Sequence, residues 1–284
     1  MAEESPRLPD PQRELITPEG FTPAADAERR QSKQRAWFWL LLVTAALLGV
    51  ILFLLPPAGF WSKLSAIGYS VCHQIPERSF FAHEHQFPLC ARCTGMYLGA
   101  LLSLVFHFRQ GKLGSLPPRK VLIPLGLLFL AFALDGLNSS AASLGLGWKL
   151  YETTNLARLI TGTGAGIVIG AVLAPIFNQT AWASWVRRSV LPDNKTLALL
   201  LAAGAMIVLV IYAGPQVLRY PAAVLSVLGV LVVLCLAYTT LALIILKREN
   251  IANSRRDLLM PLLVGMFTAL LQVSFFAFLR IHFL

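Results

Sequence analysis

Asn155–Phe177, NLARLITGTGAGIVIGAVLAPIF, decides what kind of protein this is. Its only charge is Arg158, in the first turn. A helix rises 1.5 Å per residue, so this stretch is roughly 34 Å long, enough to cross a bilayer core of ~30 Å. In lipid each backbone N–H and C=O must be paired within the segment, so the stretch is helical. Gly162, Gly166 and Gly170 recur every four residues, on the face that also carries Asn155 and Arg158. Such small-xxx-small spacing lets a second helix pack backbone to backbone.

Working outward, six more apolar stretches repeat the pattern: Ala36–Leu55, Cys93–Phe108, Val121–Leu137, Thr196–Ala213, Ala222–Leu246 and Leu258–Arg280. Composition agrees, with 56% hydrophobic and 13% charged residues. Soluble domains carry about 25% charged residues. The reading is an all-α, polytopic integral membrane protein of about seven transmembrane helices, multi-pass in the cell membrane, whose main partner is the lipid bilayer. The net charge of +10 does not point to nucleic acid, because the Lys and Arg residues cluster in short segments between the spans. Arg29, Arg30, Lys33, Arg35; Arg109, Lys112, Arg119, Lys120; Arg187, Arg188, Lys195; and Lys247, Arg248, Arg255, Arg256 fall on alternate flanks. The positive-inside rule makes those flanks cytoplasmic, with the N-terminus inside and the C-terminus outside. Residues 1–35 read as a disordered cytoplasmic tail and 36–284 as a helical membrane domain, with Ala36–Leu55 as an uncleaved signal anchor.

The longest outer loop, residues 56–92, is the chemically unusual segment. Phe60, Leu64, Ile67 and Val71 recur at helical spacing, which predicts a short amphipathic helix at the interface, with Trp61 and Tyr69 suited to that depth. It leads into Cys72-His73-Gln74 and then Cys90-Ala91-Arg92-Cys93. Three readings compete for these cysteines. Cys72, Cys90 and Cys93 with a histidine make a Cys3His set suited to Zn2+; His73 is the chosen fourth ligand, with His83 and His85 also at hand. Alternatively Cys90 and Cys93, at a helix N-terminus beside Arg92, form a thiol–disulfide pair exchanging electrons with quinone. The third reading is a disulfide that pins the loop. Cys235, in an apolar run, reads as a buried small hydrophobe.

A second polar group lies at the same depth. Asp135-Gly136-Leu137-Asn138 ends the third span and Asn155 and Arg158 begin the fourth. Ionisable groups in spans pair or serve function. Asp135 and Arg158 are natural partners for each other, and Asp135, Asn155 and Arg158 are the candidate catalytic residues. They would form a pocket for a small or lipid-linked anionic ligand. Gly95 and Gly99 make a seam after Cys93; if it meets the Gly162 seam, the pocket adjoins the thiols.

The strings CHQIPERSF, FPLCARCTGMYLG, LDG and NLARLITGTGAG together resemble a family of prokaryotic membrane proteins known as domain of unknown function 2085. The resemblance covers about residues 61–170. It implies that Cys72, His73, Gln74, Arg78, Ser79, Cys90, Arg92, Cys93, Asp135, Asn155 and Arg158 are recurring polar positions of that family, and it implies no activity. A glutamine that often follows the Asp-Gly pair is missing, with Asn138 nearby instead.

No Walker loop, Rossmann glycine pattern, His-Glu-x-x-His helix or Gly-x-Ser-x-Gly elbow occurs. No internal repeat supports an inverted-repeat transporter. The leading expectation is an outer-face Cys/His metal site beside an Asp/Asn/Arg pocket. A quinone-linked oxidoreductase and a transporter are the alternatives.

Overall fold

The computed structural model describes residues 59–143 and 150–283, with isolated positions between 39 and 49. The tail and nearly all of the Ala36–Leu55 span lie outside the described residues. The elements from Phe60 onward belong to one compact unit, Leu41–Leu284. They run α1 (Phe60–Tyr69), a 3-10 turn (Pro76–Arg78), β1 (Ser79–Ala82), β2 (His85–Cys90), α2 (Ala91–Phe108), α3 (Arg119–Ser143), α4 (Asn155–Ala181), α5 (Asn194–Ala213), α6 (Gln216–Ile245), a 3-10 turn (Arg255–Leu258) and α7 (Leu259–Phe283). Helices α2 to α7 are long and apolar enough to cross a membrane, six spans among the described residues.

The centre of the bundle is the α2–α4 pair, and the glycine seams are the reason. A Cβ at Gly95 would lie 2.4 Å from the Leu159 carbonyl oxygen, and one at Gly99 would lie 2.4 Å from that of Thr163. From the other side, a Cβ at Gly162 would meet the Arg92 carbonyl oxygen at 2.2 Å and one at Gly166 that of Met96 at 2.0 Å. The seams expected from their spacing therefore do meet, and only glycine permits the approach. Helix α4 is mostly buried inside the bundle, whereas α3, α5 and α7 are mostly on its outside. Those outer helices expose Leu127, Phe129, Leu137, Leu199, Leu209 and Phe275. Apolar side chains spread so widely over outer faces are lipid-facing surface rather than a soluble exterior.

The basic loops are tied together at one end of the bundle. Leu113 bridges Val186 and Trp182 bridges Ala252. Asn178 Nδ2 donates to the Leu113 carbonyl at 2.9 Å, and Lys112 Nζ sits 3.6 Å from the centroid of the Trp182 ring.

The other end carries the Cys/His loop, which holds structure beyond the expected short helix. β1 and β2 pair antiparallel around His83 and Glu84, with His83 at φ 53 in the turn. The hairpin is locked to the α5–α6 connection. His83 N–H donates to Gln216 Oε1 at 2.9 Å, and Arg219 donates to the carbonyls of Phe81, Ile211 and Tyr212 at 3.0–3.2 Å. Ile211 and Tyr212 lie in the last turn of α5, whose carbonyls lack intrahelical donors, so Arg219 caps a helix and grips the hairpin together. Trp61 serves this packing too: its indole N–H donates to the Gln86 carbonyl at 2.6 Å and its ring packs edge-on to Tyr220. Cys235 is buried in α6, as its apolar context predicts.

Several boundaries differ from the sequence reading. α2 begins at Ala91 rather than Cys93, and α3 continues to Ser143 instead of ending near Asp135. α4 runs on to Ala181 rather than Phe177, and α6 begins at Gln216 rather than Ala222. Within α3 the Asp135 carboxylate is paired with Arg92 rather than left bare in the span.

Candidate metal centre and arginine cavity

The three loop cysteines converge. The Sγ atoms of Cys72, Cys90 and Cys93 all lie within 4.8 Å of one another, and all three are free thiols. Cys72 ends the turn after α1, Cys90 is the N-cap of α2, and Cys93 lies one turn into that helix. The Cys-x-x-Cys spacing thus turns one thiol from the cap and one from the first turn toward a single point. Tetrahedral Zn–S bonds of about 2.3 Å imply S···S separations near ~3.8 Å. The observed cluster needs to contract only slightly to close on an ion, so the donor set fits a soft or borderline metal.

Backbone and loop hold the sulfurs there. Cys72 Sγ accepts N–H bonds from Gln74 at 3.5 Å and from Cys90 at 3.2 Å. Gln74 stands at φ 54, a left-handed conformation that turns the chain back on the sulfur. Its side-chain amide donates to the carbonyls of Ser65 at 2.7 Å and Pro88 at 2.5 Å, joining α1 to β2. Gln86 completes the lock by donating to the Gln74 carbonyl at 2.7 Å. Gly68 is required at the same joint, since a Cβ there would lie 2.0 Å from the Pro88 carbonyl oxygen.

The thiols do not share one acidity. Hydrogen bonding with Cys72 and Cys93, then backbone N–H groups of Cys93 and Arg92, hold the Cys90 thiol far below the usual thiol value. The hydrogen bond to Cys90 pushes Cys72 up, and burial adds to it. Cys90, at the positive end of the α2 dipole, is therefore the first thiolate.

His73, the expected fourth ligand, is exposed and lines the same cavity as the thiols. Its ring nitrogens are not within the 4.8 Å grouping of the three sulfurs. His83 and His85 sit at the hairpin tip instead, stacked on Tyr220 and tilted against Trp61 respectively.

Asp135 has a different partner from the one its sequence suggests. It pairs with Arg92, which donates through both Nε and Nη2; the Nε bond is 3.0 Å. Arg92 Nη2 also reaches the Asp135 carbonyl and Ser139 Oγ at 3.0 Å, and the Tyr151 hydroxyl donates to Asp135 Oδ1 at 2.8 Å. Asp135 is 1% exposed. The correction follows from the glycine seam, which brings the first turn of α2 so close to α4 that Arg92 reaches α3 before Arg158 can. Arg158 instead donates Nη1 to Asn155 Oδ1 at 2.8 Å, while Asn155 Nδ2 donates to the Glu77 carbonyl at 3.2 Å. Asn138 supports the neighbouring segment, donating to Tyr151 O at 2.9 Å and accepting from Leu150 N–H at 2.8 Å.

Arg78, Arg92, Arg158, the three cysteines and His73 line one cavity of about 390 Å3. The sequence reading singled out Arg158 for the pocket but gave no such role to Arg78 or Arg92. The available signal was their shared place among the recurring polar positions of the motif.

Comparison with known proteins covers most of the same region. Residues 72–172 match the model of a family described as predicted membrane protein, domain of unknown function 2085. An uncharacterized protein of Methanocaldococcus jannaschii is 30% identical over 155 residues, which is 50% of this chain and 94% of that protein. An uncharacterized protein of Methanothermobacter thermautotrophicus is 36% identical over 109 residues, 38% of this chain and 88% of that protein. No solved structure matches. The matched region spans the three cysteines, Arg78, Arg92 and Arg158, with α2, α3 and the first two thirds of α4, while α5 to α7 lie beyond the family match. With six apolar spans among its described residues, the chain is a multi-pass membrane protein.

Proposed function

The chain belongs to the domain of unknown function 2085 family of predicted membrane proteins, and from that premise we propose a membrane protein that binds zinc through Cys72, Cys90 and Cys93, with His73 as fourth ligand. The observation that carries this reading is the convergence of three sulfurs within 4.8 Å, one of them accepting two backbone N–H bonds. N–H···S bonds stabilise thiolate and orient it, as outer-shell partners do in metal sites. His73 adjoins Cys72 and needs a side-chain turn into the shared cavity to close a Cys3His set. A closed set makes the ion a structural staple that fastens the loop to the first turn of α2.

Beside the staple, Asn155, Arg158 and the Arg92–Asp135 pair form a pocket for a small or lipid-linked anion. In this pocket Arg158 holds the anion, Asn155 orients Arg158, and Asp135 is the charge partner that positions Arg92. In this reading the site faces the non-cytoplasmic side, which the Lys/Arg bias of the opposite loops supports.

The deciding experiment is metal content with a free-thiol count on detergent-purified protein. The comparison is wild type against Cys72→Ser, His73→Ala and Cys93→Ser. About one zinc per chain, lost in the variants, supports the site. Zinc retained in His73→Ala alone removes histidine from the set. No metal, with two thiols oxidised and reducible, replaces the proposal by thiol–disulfide exchange at Cys90 and Cys93.

A further inference from the structure

We infer that the arginine cavity holds a phosphate group, gripped chiefly by Arg158 and Arg78. This inference rests on the anion pocket proposed above and names its ligand class.

Charge comes first. Three guanidinium groups line the cavity, from the 3-10 turn, from α2 and from α4, and no carboxylate is among the lining residues. Asp135 sits behind Arg92 and occupies its Nε and Nη2. Three thiolates around a divalent ion carry one net negative charge, and Asp135 carries another. The loaded site still holds a surplus positive charge, so it favours an anionic guest.

Hydrogen bonding comes second. Arg158 spends Nη1 on Asn155, but its Nε is buried and has no acceptor. Buried polar groups are almost always satisfied, and a donor on a cation is among the costliest to leave unmet. An acceptor oxygen inside the cavity completes it.

Shape comes third. One guanidinium edge can satisfy a planar carboxylate through two parallel bonds, whereas a tetrahedral anion presents oxygens in several directions. Here the arginines come from three separate elements around one space, which suits a tetrahedral anion with oxygens pointing several ways. Helices α2 and α4 both begin at this cavity, so the positive ends of two long helices add to the field. Val71 and Ile75 supply apolar wall beside the charges.

The test uses the full chain, purified in detergent and loaded with zinc, titrated with inorganic phosphate, acetate and succinate by calorimetry. Phosphate is expected to saturate a site that the carboxylates do not fill. Arg158→Gln should weaken phosphate by about tenfold or more, the loss expected for a hydrogen bond to a charged group. Arg158→Lys should recover only part of it, because lysine returns the charge without the Nε–H. Arg78→Gln provides a second reading should the Arg158 variants misfold, and metal content should stay at the wild-type level throughout. In nanodiscs, loss of the phosphate response when phosphatidic acid is added to a phosphatidylcholine bilayer identifies a lipid headgroup as the source. An unchanged response identifies free phosphate; either result supports the phosphate site. Succinate binding as tightly as phosphate overturns the phosphate assignment and leaves the anion pocket standing. Full zinc content with no anion binding overturns the pocket as well and leaves the metal site intact. Wild-type phosphate affinity in both arginine variants overturns the grip assigned to Arg158 and Arg78.

Discussion

Gly162→Ala puts a single methyl group where the architecture is least able to take one. The added carbon would lie 2.2 Å from the Arg92 carbonyl oxygen, 3.0 Å from its carbonyl carbon and 3.2 Å from its Cα. Ordinary contact begins at 3.4 Å, so α2 and α4 must separate by about an ångström. The obstacle is helix backbone, which has no rotamer to escape into. Overpacking of this kind costs about 1–3 kcal/mol. The displaced residue lies between Cys90 and Cys93, so the separation also pulls two sulfurs away from Cys72, which Gln74 holds to the loop. Metal sites tolerate only ~0.2 Å in ligand distance, and disturbed supporting shells lose about 10- to 100-fold in affinity. The expected result is a lower melting temperature in detergent and zinc that a chelator removes about 10- to 100-fold more readily. Gly126→Ala is the control, since a Cβ there has nothing within 4 Å. It should leave zinc binding unchanged and, as a helix-interior Gly→Ala change, gain up to about 0.5–1 kcal/mol. If the two alanine variants melt alike and hold zinc alike, the glycine seam does not position the site and the reasoning is wrong.

Asp135→Asn keeps the shape but strips the charge that Arg92 faces, which for a buried pair costs about 3–5 kcal/mol. The double variant Arg92→Gln/Asp135→Asn should recover part of that loss in a thermal double-mutant cycle, and strict additivity would show that the pair is not coupled. Gln74→Ala removes the amide that joins α1 to β2 while keeping a side-chain-bearing residue at φ 54, so both stability and zinc retention should fall. Gln74→Gly should be no better in zinc retention if the amide, rather than the backbone angle, holds the loop. In metal-stripped protein, iodoacetamide should label Cys90 at a rate flat from mildly acidic to neutral pH, while Cys72 labels only as the solution turns alkaline. The matching stability effect has a definite sign. Cys90 binds its proton less tightly folded than unfolded, so its contribution is complete above the ordinary thiol value of 9.0 and shrinks as pH falls. Peptide mapping that finds Cys72 labelled first would reverse the assignment.

Hydropathy alone determined that this is a helical membrane protein, because the need to pair every backbone group in lipid leaves an apolar run little choice of structure. The glycine seams were legible for the same reason: spacing by four fixes one helix face, and glycine on a face announces close approach. The cysteines and the arginine pocket could be named from residue type and local spacing. What the sequence could not supply was pairing in space. Asp135 and Arg158 look like partners along the chain, yet Arg92 takes the carboxylate, because the seam packs the first turn of α2 on α4 and leaves Arg92 within reach of α3. The hairpin of residues 79–90 escaped notice because four- and six-residue strands held by Gln216 and Arg219 depend on partners more than a hundred residues away. Arg78, on a 3-10 turn in a loop, carries no periodic signal, and only the folded loop brings it to the cavity that Arg158 lines. Periodicity reports which face a residue occupies, whereas contact between faces is set by how closely whole helices pack, and here single glycines decide that distance.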